Sequence, residues 1–112
     1  MTRSLIEQEL AAAETAQRNR NEGKARVCAR RAVALAAETR LARLSLPRCR
    51  KDAMAHLREI QLDPSCPLPI RQAAERLSTP VTRRHEAPFT TDPLADAKLI
   101  IEHLCNNLPA PD

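Results

Sequence analysis

At 112 residues the chain is long enough for one hydrophobic core and too short for two, so it reads as a single domain over residues 1–112. One Phe, no Tyr, no Trp and a single Gly leave little material for strands or glycine hairpins, and they exclude a surface of interleaved aromatics for stacking bases. The net charge of +4, the absence of any run of about 18 apolar residues and the acidic Glu7 and Glu9 near the N-terminus predict a cytoplasmic protein without a membrane span or signal peptide.

The composition is rich in Ala, Arg and Leu, with nine prolines spaced to punctuate helices, and predicts an all-α fold: an antiparallel up-and-down bundle of four to five helices. Ser4-Leu5-Ile6-Glu7 has the form of a capping box and places the start of the first helix. Ile6, Leu10, Ala13 and Gln17 give that helix one mainly apolar stripe, which ends in the polar stretch from Arg18 to Gly23. The second helix, Lys24 to Leu44, carries Cys28, Ala32, Leu35, Thr39 and Ala42 at alternating steps of four and three. Ala25, Ala29, Val33 and Ala36 lie beside that stripe and make a wide, shallow packing face. Pro47 serves as an early residue of a third helix, with Ser45 as its cap and Ala53, Met54, Leu57 and Ile60 as its buried side. Asp63 to Pro67 end it.

A short fourth helix carries Ile70, Ala73, Ala74 and Leu77 and stops near Ser78 and Thr79, before Pro80. Residues 80–91 have neither helical nor strand period and read as a loop holding the only aromatic, Phe89. Asp92-Pro93 is a carboxylate cap followed by proline at the first helical position. It opens a fifth helix with Leu94, Ala97, Ile101, Leu104 and Leu108 on its apolar stripe.

Charge is distributed unevenly. Residues 18–51 hold eleven Lys or Arg against Glu22 and Glu38, a balance of +9, and the remainder sums to −5. Such a dipole attracts a polyanion, an acidic protein face or the acidic end of a second copy, and an Ala-rich core without large side chains favours self-association. Cys28, Cys49, Cys66 and Cys105 form no C-x-x-C pair, so no metal site and no cofactor are expected. Cys28 and Cys105 fall among apolar helical positions and read as buried, reduced thiols.

The segment from Gly23 to Ala36 resembles the second helix of the HEPN-domain family. Met54-Ala55-His56-Leu57-Arg58-Glu59-Ile60 resembles that family's threonine-histidine-aspartate-leucine segment. Ile70 to Leu77, followed by Thr82-Arg83-Arg84-His85-Glu86, resembles its next helix and arginine-aromatic-proline-aspartate stretch, and Ala95 to Leu104 fits its final helix. The chain departs from the family where Arg84-His85-Glu86 replaces the aromatic-proline-aspartate element and where the aromatics common near the first two helices are missing.

The resemblance implies a homodimeric helical bundle, often encoded with a nucleotidyltransferase-like partner, and in some branches a metal-independent RNase of toxin–antitoxin type. Those RNases pair an arginine and a histidine, four to six residues apart, across the dimer: histidine moves a proton and arginine stabilises phosphate charge. Arg50 and His56 are the pair with that spacing here, which 15 arginines and three histidines also produce readily by chance, and Lys51 stands where active members place a polar uncharged residue.

The leading expectation is therefore a non-catalytic HEPN-like binding and dimerisation module, associated with a nucleotide or a nucleotidyltransferase-like partner. The alternatives are an RNase using Arg50 and His56 as catalytic residues, and an unrelated helical protein-interaction domain. Arg26, Arg30, Arg31, Arg83, Arg84 and His85 are the candidates for contact with RNA phosphate or an acidic partner, against the alternative of solvated helix and loop faces.

Overall fold

Five helices account for the fold in the computed structural model, which describes residues 2–43, 52–79 and 92–106. They are α1 (Thr2–Arg18), α2 (Glu22–Arg43), α3 (Ala53–Leu62), α4 (Leu68–Ser78) and α5 (Pro93–Asn106), and no strand occurs among the described residues. The all-α bundle expected from composition is what forms. α1 and α2 make one hairpin, α3 and α4 a second, and α5 lies against α2 and α4. Only α2 packs on each of the other four helices. With 22 residues and a rise of about 1.5 Å per residue it is also the longest, about 33 Å.

What lets so many neighbours share one helix is the size of its side chains. Ala25, Ala29, Ala32 and Ala36 are all buried at 2 % exposure or less, with Cys28 and Val33 between them. Cys28 and Ala32 of the predicted stripe and the four residues predicted to flank it are thus the buried face, whereas the C-terminal members of the stripe depart: Leu35 and Thr39 are half-buried and Ala42 is exposed. Among the described residues nine of the twenty buried apolar ones are alanines, and the large ones come mainly from α3, α4 and α5, as Leu57, Ile60, Ile70, Leu77, Ile100, Ile101 and Leu104. The four residues predicted for α4, Ile70, Ala73, Ala74 and Leu77, are its buried face.

The joints depart from the sequence reading in three places. α1 begins at Thr2, so Ser4 lies inside the helix and does not start it. At the other end α1 closes in a left-handed turn: Arg20 has φ 58°, the Arg20 amide donates to the Gln17 carbonyl and the Asn21 amide to the Ala16 carbonyl. Asn21 then starts α2, its side-chain oxygen accepting from the Lys24 amide. This turn falls within the polar stretch from Arg18 to Gly23 expected to hold it, although Gly23 at the end of that stretch is already helical. Third, α3 is capped by Asp52, whose carboxylate accepts from the Ala55 amide at 2.8 Å. Ser45 and Pro47, expected at its start, lie outside the described residues, as do Phe89 and Leu108.

The start of α5 follows the sequence closely. Asp92 accepts from the Ala95 amide at 3.1 Å, Pro93 takes the first helical position, and the Gln17 side chain of α1 accepts from the Leu94 amide at 2.9 Å. Two further links hold α4 in place. The Arg30 Nε donates to the Leu77 carbonyl at 2.7 Å, and Arg76 meets Asp96 of α5 through a two-pronged pair at 2.8 and 3.3 Å. Both put a guanidinium where a helix C-terminal carbonyl or a buried carboxylate needs a strong donor.

Candidate functional site

The α2–α3 crossing leaves a cleft of about 380 Å3, bounded by the C-terminal half of α2, one side of α3, the α3–α4 turn and the end of α5. Ala37 and Leu41 of α2, Ile60 and Leu62 of α3 and Leu104 of α5 give it apolar walls. Leu62 is the most exposed large apolar residue among those described, at 82 %. Two polar side chains lie within these walls with unmet hydrogen-bonding capacity. His56 is 2 % exposed and its Nε2 has no hydrogen-bond partner among the described residues, nor has the buried Nε of Arg40. Glu38 Oε1 stands 3.8 Å from the His56 Nε2, too long for a hydrogen bond and within ion-pair range.

His56 enters this position because α3 buries a wider arc than its apolar residues alone describe. Leu57 and Ile60 face the core, and His56, one residue before Leu57, is carried inward with them under α2. A buried polar atom without a partner costs about 1–3 kcal/mol, so two such atoms beside one cleft are a concentrated demand for a polar group.

The α3–α4 turn supplies the rim. Asp63 accepts from both the hydroxyl of Ser65, at 2.6 Å, and its amide, at 2.9 Å. Those two hydrogen bonds hold its carboxyl below the usual range. Burial pushes the Cys66 thiol up, and Asp63 adds to the effect. Cys28, in the α1–α2 interface, is raised by burial first and by Glu9 second. Both thiols are free. Cys105 is exposed rather than buried, since on α5 it directly follows Leu104, the residue that faces the core.

The predicted site residues are dispersed. His56 is in the cleft, whereas Arg50, its expected catalytic partner, lies outside the described residues, as do Arg83, Arg84 and His85. Arg30 is committed to the Leu77 carbonyl, and burial, with Arg26 next to it, lowers its pKa. Arg26 is half-buried and Arg31 exposed on α2. His103 is half-buried on α5. Sequence reasoning missed Arg40 and Glu38 as members of one site with His56. The available signal was that Glu38 is one of only two acids in residues 18–51, on the turn of α2 that also carries Arg40. Among the described residues no group of three or more His, Cys, Asp or Glu side chains could hold a metal ion, and no helix is long and apolar enough to cross a membrane.

Comparison with known proteins leaves the site to its own chemistry: no family model, no curated protein and no solved structure matches the chain.

Proposed function

We propose that the protein is a non-catalytic, HEPN-like binding and dimerisation module of the cytoplasm, whose partner is a nucleotidyltransferase-like protein or another acidic surface. The observation that carries the non-catalytic reading is the burial of His56. An RNase of the HEPN kind needs its histidine exposed at a seam between two copies, within reach of a scissile phosphate. His56 is 2 % exposed and has a carboxylate, Glu38, 3.8 Å from its Nε2, a neighbour that repels phosphate.

Pairing is supported by the make-up of the core. Nine alanines among the twenty buried apolar residues described contribute little apolar area apiece, while Leu5, Val27, Leu62, Leu68 and Leu99 remain 40 % exposed or more. A second copy covering some of these leucines adds burial that the Ala-rich interior lacks, at about 25 cal/mol per Å2. Recognition of an acidic surface is supported by Lys24, Arg26 and Arg31 along α2, none of which has a hydrogen bond from its side chain to a described neighbour comparable to that of Arg30.

Incubation of the purified chain with structured and unstructured RNAs tests the reading. Wild type and His56→Ala are expected to leave every RNA intact. Cleavage by wild type that vanishes in a folded His56→Ala overturns the non-catalytic assignment and restores the Arg50–His56 RNase.

A further inference from the structure

We propose that the solvent face of α5 is the seam through which two copies of the chain pair, α5 against α5 in antiparallel about a two-fold axis at the level of Ile100. The seam rests on the pairing proposed above and names the surface that forms it.

Helical spacing sets the face. Ala97, Ile100, Ile101 and Leu104 turn into the core, which leaves Ala95, Lys98, Leu99, Glu102 and Cys105 exposed at steps of three and four along the opposite side. Leu99 stands 40 % exposed in the middle of this stripe, with one cation and one anion beside it. Neither Lys98 nor Glu102 has an ion pair or a side-chain hydrogen bond among the described residues.

A two-fold contact is self-complementary: where one residue meets a second, the second meets the first. Run in opposite directions about Ile100, the stripe fits itself. Lys98 meets Glu102 of the partner subunit twice over, Ala95 meets Cys105 of the partner subunit twice, and the two Leu99 side chains lie together beside the axis. A parallel pairing would set lysine on lysine and glutamate on glutamate, like charges face to face. The stripe carries no net charge, so an acidic or a basic protein face gains nothing there over a second copy.

Size and shape fix how tightly the seam holds. α5 has 14 residues and is about 21 Å long, and one helix pair of that length covers less than the roughly 800 Å2 per partner of a stable interface, so the dimer comes apart on dilution. Small residues at both ends of the stripe let the axes approach to about 8 Å. That brings the Cα atoms of positions 95 and 105 across the seam within the roughly 4.4–6.8 Å that a disulfide spans. Within one chain the same two positions are about 15 Å apart along α5.

Disulfide trapping and sedimentation equilibrium of the full chain test the seam. In a Cys49→Ser background, Ala95→Cys is expected to give a covalent dimer under mild oxidation and to lose it with Cys105→Ser, while Cys49→Ser alone stays uncross-linked. Lys98→Glu sets like charges across the seam twice and is expected to raise the dimer dissociation constant at least about tenfold; Lys98→Glu/Glu102→Lys should return it to within about threefold of wild type. Leu99→Asp, at an exposed position, is expected to keep a native circular dichroism spectrum and lose the dimer. A mass of 12.5 kDa for wild type at every concentration overturns the pairing reading and the seam together. A dimer that forms no disulfide between positions 95 and 105, that cross-links through Cys105 alone, or whose dissociation constant ignores Lys98→Glu and Leu99→Asp overturns the seam and leaves the pairing reading standing.

Discussion

Replacing Arg30 separates structural from recognition arginines on α2. Its Nε donates to the Leu77 carbonyl at 2.7 Å, one of the last-turn carbonyls of α4 that has no amide partner within the helix. A hydrogen bond from a charged donor is worth about 1.5–3 kcal/mol, and the site is half-buried, so solvent screening reduces it only in part. Arg30→Ala is therefore expected to cost about 2 kcal/mol. In a domain of this size that lowers the thermal midpoint by about 8 °C. Arg30→Lys recovers part of the loss, because an ammonium can reach a carbonyl but lacks the fixed geometry of the guanidinium. Arg31→Ala, at an exposed position on the same helix, is expected to change stability by less than about 0.5 kcal/mol. Urea unfolding followed by circular dichroism measures all three. If Arg30→Ala and Arg31→Ala prove equally harmless to stability, α4 is not held through Arg30 and its placement as a structural residue is wrong.

Three other outcomes follow from the joints and the interior. Arg76→Ala leaves the buried Asp96 without its two-pronged partner and is expected to cost about 1–2 kcal/mol in urea unfolding, less than a fully buried pair because Arg76 is 37 % exposed; a double-mutant cycle with Asp96→Asn should return most of that as coupling. Arg20→Gly relieves a left-handed backbone at an exposed position and is expected to raise stability by about 0.5–1 kcal/mol, whereas Arg20→Ala, which keeps the Cβ, leaves the thermal midpoint in place. Finally, the thiols of Cys28 and Cys66 are raised by burial, so their stabilising effect is complete below the unfolded thiol pKa of about 8.5 and is lost as pH climbs through the folded values. Urea midpoints recorded between about pH 8 and pH 10 should fall for wild type and fall less for Cys28→Ala/Cys66→Ala, while a maleimide labels Cys105 well before either buried thiol.

Much of the fold is legible in the sequence because it is written in single strong signals. Asp92-Pro93 fixes the start of α5, and Ile70, Ala73, Ala74 and Leu77 fix the face of α4. α2 was harder to orient. On a helix where twelve of 22 positions are alanine or arginine, the 4-3 stripe runs on through Leu35 and Thr39, whereas packing density selects the flanking alanines that widen it. The α1–α2 joint falls within the polar stretch that marks it, and only its left-handed residue, Arg20 rather than the lone glycine, is not legible there. The cleft could not be read from spacing at all. Arg40 and Glu38 come from one helix and His56 from another, and only the crossing of α2 over α3 makes them neighbours. The Arg50–His56 spacing, by contrast, was legible and carried little information in so arginine-rich a chain.

The central claim, a non-catalytic bundle that works as a pairing module, is tested most directly by the mass of the purified chain in solution. Light scattering across a concentration series, extending to the tens of micromolar, is predicted to give twice the 12.5 kDa of one chain at the upper end and a fall toward 12.5 kDa only on dilution. A constant 12.5 kDa at every concentration would contradict it.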